Sequence, residues 1–246
     1  CSSDLRILLK GGTTVAAVAL LLSGESLRIS GRISPRGAKA TCGTSTQAHS
    51  LLLENGKSQN IDESFGAAVG RLRPGDVVII GANALDSSGQ AALMLGRPLG
   101  GNVGQGLAGI MSQGCRVIIA CGLEKLIPGS ITEAIRVSGI YSADWSLGMA
   151  AGLAPLSGEV ITEQKALELI SGAKCTVITA GGIDGAEGAT TMVAEGDETA
   201  VKKAVQAVLG VRGAVTAGCP ESLIECDPGS PGCAVHQTCA WRTARG

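Results

Sequence analysis

Short apolar runs of β-forming residues alternate with stretches of helical period along most of this chain, and that alternation limits the fold more than any other feature. Residues 5–9, 77–80 and 116–120 are apolar-rich runs of the kind a buried parallel strand carries, and helical patterns follow at 14–23 and 103–111. This order marks βαβ units, in which each crossover helix covers one face of a parallel sheet. The expected fold class is α/β, with a Rossmann-like, mostly parallel sheet and flanking helices over residues 1–150. Only 2% of residues are aromatic and 37 are glycine, a composition that lets helices lie close on a sheet.

Within that unit, residues 38–42 read as a second strand of the sheet. The leucines at 51–53 read as part of a helix that stops at Asn55-Gly56. Helix 14–23 has almost no polar face and is expected to be buried. Residues 91–95 form a further strand, and 138–158 an irregular, glycine-rich crossing. A helix at 164–170, strands at 175–182 and 190–197 and an amphipathic helix at 198–209 suggest a small ferredoxin-like α+β unit over 151–214. Residues 215–246 are a tail rich in cysteine, glycine and proline.

Twenty Lys plus Arg against 21 Asp plus Glu leave a net charge of -1, so no overall field draws the chain to nucleic acid or an anionic membrane. An anionic ligand must be held locally. The longest apolar run, 15–22, is too short to span a bilayer and lacks the flanks of a signal peptide. A start at Cys1 reads as a trimmed end. Nine cysteines, an odd number, favour a reducing compartment. The expectation is a cytoplasmic homo-oligomer whose partner is a small anionic metabolite.

Three strand ends carry candidate chemistry. "KGGTT" places Gly11, Gly12, Thr13 and Thr14 between a strand and a helix, where free amides and hydroxyls converge on a phosphate or carboxylate, or simply cap the helix. The glycine spacing is neither that of a P-loop nor GxGxxG. "TCGTSTQAHS" repeats the device with Thr44, Ser45 and Thr46. Cys42 reads there as a nucleophile if a helix dipole lowers its pKa, otherwise as a packed thiol. His49 reads as a polar or packing residue rather than a base. "VVIIGANALDSSG" delivers Asn83 and Asp86 beyond a buried strand.

In this order "KGGTT", "GTSTQAHSLLLENG", "GANALDSSG", "GRPLGGNVGQG" and "VIIACGLEKLIP" resemble the ribose-5-phosphate isomerase A branch of the NagB/RpiA/CoA-transferase-like superfamily, over about residues 5–130. The resemblance implies that Gly12, Thr13, Thr14, Ser45 and Thr46 hold a phosphate with a charge from Lys125. It also puts Arg97, Gly100 and Gly101 in the family's glycine loop, with Arg97 where that loop has lysine. The family's first catalytic Asp falls at Ile80 and its second at Asn83, and Asp86 matches the last. Neither Ile nor Asn can accept the proton that an aldose–ketose isomerase moves. The implied function is binding of a small phosphorylated or carboxylated metabolite, with any turnover resting on Cys42, Asp86 or Arg97. A non-catalytic sensor or assembly protein is the alternative. CoA-transferase-like and lactate-utilisation-like activities belong to the same superfamily, although Glu54 in "ENG" reads as a helix end rather than a nucleophile.

Cys219, Cys226, Cys233 and Cys239, with His236 between the last two, crowd into the tail at spacings wider than a CxxC pair. Zinc or an iron–sulfur cluster, disulfides and free thiols all remain open. Asp184 and Glu187 sit in a glycine-rich link that reads as a turn, or as a loop closing over the main crevice or an oligomer contact.

Overall fold

The computed structural model describes residues 5–40 and 46–242. It opens with β1 (Ile7–Lys10) and α1 (Thr13–Ser23), then two hairpins, β2 (Gly31–Ser34) with β3 (Gly37–Ala40) and β4 (Ser50–Glu54) with β5 (Lys57–Asn60). There follow α2 (Phe65–Gly70), β6 (Val77–Gly81), the short β7 (Ala84–Leu85), β8 (Ala91–Leu95), α3 (Gly101–Ser112), β9 (Arg116–Ala120) and α4 (Ile131–Val137). β10 (Gly152–Leu156), β11 (Glu159–Ile161), α5 (Glu163–Ser171), β12 (Lys174–Ala180), β13 (Thr190–Glu195) and α6 (Glu198–Gly210) complete the order.

The main sheet has six strands in the order β11-β9-β6-β1-β4-β5. β1, β6, β9 and β11 run parallel, and β4 and β5 extend the sheet antiparallel. Alternation along β1 sends Leu8 to one face and Leu9 to the other. Leu8 joins Leu52, Phe65, Val78, Ile80 and Ile119 in the larger core, and Leu9 joins Val15, Ala16, Ala19, Leu27 and Leu51 in the smaller. The α/β expectation holds in this form, as a mostly parallel sheet with helices on both faces.

Four local expectations are corrected. The leucines at 51–53 lie on β4, paired with β1, and Asn55-Gly56 is a hairpin turn with φ of 52° and 71°. Two consecutive positive φ values are what a type I′ turn needs, and Asn-Gly supplies them at low cost. Residues 38–40 pair with β2, and Ala38 also bridges Gly148, all outside the main sheet. α1 is not buried all round: Val15, Ala16 and Ala19 pack inward, while Leu20, Leu21 and Leu22 are 56%, 86% and 52% exposed. The 138–158 crossing contains β10, which joins β8 and β7 in a three-stranded sheet.

Beyond the main sheet, β12 and β13 form a two-stranded sheet beside α5 and α6, whereas β11 belongs to the main sheet. Thr162 and Asp197 cap the two helices through their side chains. No helix among the described residues is long and apolar enough to cross a membrane.

The tail is a strap laid across residues 27–40. Cys219 N–H donates to the Leu27 carbonyl at 3.2 Å, and Ser222 Oγ accepts from Ile29 N–H at 2.9 Å. Arg32 donates to the Ile224 carbonyl, Arg36 to that of Cys226, and Trp241 Nε1–H to that of Arg36. The ammonium of Lys39, only 4% exposed, pairs with Glu225. Breaking a buried pair leaves an uncompensated charge, and Glu225 is itself partly open to water. Glu225→Ala is therefore expected to cost about 2 kcal/mol in urea unfolding and to expose the tail to proteolysis before the main sheet opens.

Candidate functional site

The parallel strands β1, β6 and β9 end together at Lys10, Gly81 and Ala120, the place where an open α/β sheet leaves a crevice. A cleft of about 310 Å³ opens there. Its floor is Gly11, Gly12, Thr13 and Thr14, and its sides carry Asn83, Cys121, Glu124 and Lys125. Arg32 enters from β2, and Thr216, Ala217, Ser222 and Leu223 of the tail form the remaining wall.

Local sequence explains the floor. Gly11 N–H donates to the His49 carbonyl at 2.7 Å, and a Cβ on Gly11 would collide with that oxygen and with His49 Nδ1. Gly12 is the extended N-cap residue of α1, and no side chain caps the helix. The first amides of a helix have no partner inside it, so those of Thr13 and Thr14 are left to solvent or ligand. No acidic residue occupies that first turn to compete with an anion.

Three cations stand around these amides. Lys10 is half-buried, and burial alone pushes its ammonium down to about 8. Arg32 donates through Nη2 to the Ile224 carbonyl at 2.9 Å and pairs loosely with Glu225 at 3.6 Å, while its Nη1 is buried with no partner. Lys125 Nζ lies 3.5 Å from Glu124, the only carboxylate among the described residues that line the cleft. The Cys121 thiol is raised to about 11 by burial, then by the Glu124 charge, which keeps it a packed, protonated thiol.

A second cleft, of about 380 Å³, shares Lys10 and Gly31 with the first. Arg28, His49, Asp62, Glu63, Arg97 and the Gly100-Gly101 turn before α3 line it. Asp62 holds the corner together, accepting from His49 N–H and Ser50 N–H and pairing with Arg28 at 3.2 Å. His49 Nδ1 lies 2.8 Å from the Arg28 carbonyl, so the proton sits on Nδ1. Burial first, then the Lys10 charge, pushes the imidazole down to about 3.

The candidates thus divide. Gly11, Gly12, Thr13, Thr14, Asn83 and Lys125 meet in the strand-end cleft. Arg97, Gly100 and Gly101 line the neighbouring cleft instead, and exposed Thr46 lines neither. Cys42, Thr44 and Ser45 fall outside the described residues. Asn83 spends its side-chain oxygen on Met94 N–H, fixing β8.

Asp86 requires the plainest correction, since it lines neither cleft. Its carboxylate is buried and accepts from Ser88 N–H, Ser88 Oγ, Gln90 N–H and Ile131 N–H at 2.6–3.0 Å. It holds a turn against the start of α4.

The tail cysteines do not converge either. Among the described residues no three Cys, His, Asp or Glu side chains form a group able to hold a metal ion, and all four are free thiols. Cys219 is buried against Ser222 at 3.6 Å, and Cys233 sits against Ser230 at 3.7 Å. The donor set does not fit zinc or an iron–sulfur cluster. The link carrying Asp184 and Glu187 returns to the main unit at Gly188, where an added Cβ would meet Glu124 at 3.1 Å.

Lys10, Arg32 and the tail residues were not among the sequence candidates. A lysine closing a buried strand immediately before a Gly-Gly turn is the signal that points to the first. Comparison of the chain with protein-family models, with curated proteins and with solved structures finds no match.

Proposed function

We propose that the protein binds a small phosphorylated or carboxylated metabolite in the cleft at the ends of β1, β6 and β9. The observation that carries this reading is the excess of donors there. Lys10, Arg32, Lys125 and the uncapped amides of α1 line one cavity in which the only carboxylate among the described residues, Glu124, is already paired. Charge-assisted hydrogen bonds to such an anion contribute about 1.5–3 kcal/mol each, and a helix N-terminus adds up to about 2 kcal/mol. The main layer is read as a Rossmann-like sheet, and the small unit as the helix–hairpin–helix part of a ferredoxin-like order. The superfamily resemblance is consistent with an anion at "KGGTT" but is not needed for it.

Inorganic phosphate, ribose 5-phosphate and lactate test the reading by thermal unfolding of the full chain. A ligand at a hundred times its Kd stabilises by about 2.7 kcal/mol, which at this size is roughly 5–10 °C. At least one of the three is expected to produce such a rise, and Arg32→Met and Lys125→Met are expected to reduce it tenfold or more in apparent affinity. A flat melting temperature with all three, or a rise that Arg32→Met leaves intact, would overturn the site.

A further inference from the structure

We propose that Lys10 is an amine nucleophile, and that the metabolite held in the strand-end cleft is an anionic aldehyde or ketone that forms a Schiff base with its Nζ. This rests on the anion site proposed above. Among the described residues Lys10 is the one with an ionisable side chain that lines both clefts.

The charges around the amine are mostly cations or carboxylates already paired, Glu63 being the exception. In the strand-end cleft the facing charges are Arg32, Lys125 and Glu124, and the acid is paired with Lys125. In the neighbouring cleft they are Arg28, Arg97, Asp62 and Glu63, with Asp62 paired to Arg28 and occupied by backbone amides. His49, the remaining titratable group there, is neutral. No described carboxylate pairs with Lys10, and burial alone lowers its pKa to about 8. At pH 7.5 about a quarter of such an amine is neutral, against about 0.1% of an ordinary lysine. A neutral amine is a weak counter-ion and a good nucleophile toward carbonyls. Arg32, Lys125 and the α1 amides can meanwhile hold the anionic end.

The step balances without a further reactant. Nζ attacks the carbonyl carbon, a C–N bond forms, and the π pair moves to oxygen as the carbinolamine. The C–O bond then breaks, and both amine protons leave with that oxygen as water, giving the imine.

Pyridoxal 5′-phosphate, an aldehyde carrying a phosphate, is the probe. The full chain is treated with it at pH 7.5, reduced with borohydride, and mapped by peptide mass spectrometry. The expected result is an adduct at Lys10 formed at least about tenfold faster than at any other lysine, in line with its larger neutral fraction, and slowed by inorganic phosphate. Lys10→Arg should lose the adduct while the other lysines are labelled as in the wild type. If phosphate stabilises the wild type but Lys10 is labelled no faster than surface lysines, the amine step is wrong and the anion site stands. If Lys10 is labelled at a rate phosphate does not change and phosphate gives no thermal response, the anion site is wrong, and this inference falls with it.

Discussion

Asp86→Ala is expected to lower stability by about 3–4 kcal/mol in urea unfolding and to leave the thermal response to inorganic phosphate unchanged. The carboxylate is 4% exposed and accepts four hydrogen bonds, three of them from backbone amides. Removing it strands those amides, and an unsatisfied buried donor costs about 1–3 kcal/mol, less than additively because a widened site admits water. The Ile131 amide, the Ser88 hydroxyl and the Gln90 and Ser88 amides together hold the carboxyl below its usual range. Its contribution is therefore present above about pH 4 and is lost as the pH falls through the depressed value. Asp86→Asn keeps one acceptor oxygen and should fall between the two. A variant of normal stability that no longer responds to phosphate would return Asp86 to the ligand site.

Why Asp86 misleads in the sequence is instructive. An acid just beyond a buried strand reads as chemistry delivered to a crevice, but Asp-Ser-Ser-Gly-Gln is also turn chemistry, with donors two and four residues on. β7 and β8 fold back over that strand end, so the aspartate meets the start of α4 rather than solvent. The strands at 77–80 and 116–120 were legible because a short β-branched run buried on both faces has few alternatives. The run at 51–53 was not, because a few leucines fit a helix or a strand equally. An Asn-Gly pair serves equally as a helix stop and as a type I′ hairpin turn, and only the pairing with β1 tells the two apart.

The cleft was half legible for a similar reason. Gly11 to Thr14 and Lys125 follow strand ends directly, so the βαβ rule places them together. Arg32 lies on a hairpin outside the main sheet, and Thr216 to Leu223 arrive from the far end of the chain. No local pattern encodes contacts of that separation. The tail cysteines show the converse. Their crowding in sequence suggests a shared ligand, yet the strap crosses residues 27–40 as a series of short 3-10 turns, and the thiols do not gather into a metal-holding group.

Acid should destabilise this protein in a window that belongs to His49. Its folded pKa is depressed to about 3 from 6.5, so as the pH falls the unfolded chain takes up the proton first. Stability is complete above about pH 6.5, declines below it, and levels off only near pH 3; between pH 7 and 4.5 the loss from this residue is about 2–3 kcal/mol. The depressed carboxyls of Asp86, Glu54 and Glu225 act at lower pH and leave that window to histidine. His236 is lowered by burial first and then by Arg97, and contributes in the same direction, so His236→Gln serves as the parallel control. His49→Gln retains an N–H that can donate to the Arg28 carbonyl and removes the titration. Urea unfolding from pH 7 to 4.5 should show a much shallower decline for His49→Gln than for His236→Gln; equal declines in both would sink the assignment. Lys10 supplies the second check, because its charge is one cause of the His49 shift. Lys10→Met should make the decline shallower and raise stability at pH 7 by about 1–2 kcal/mol. An ammonium forced from 10.5 to about 8 represents roughly 3 kcal/mol of strain, reduced here by the water that reaches the half-buried side chain. A residue whose removal stabilises the fold is one the fold does not need.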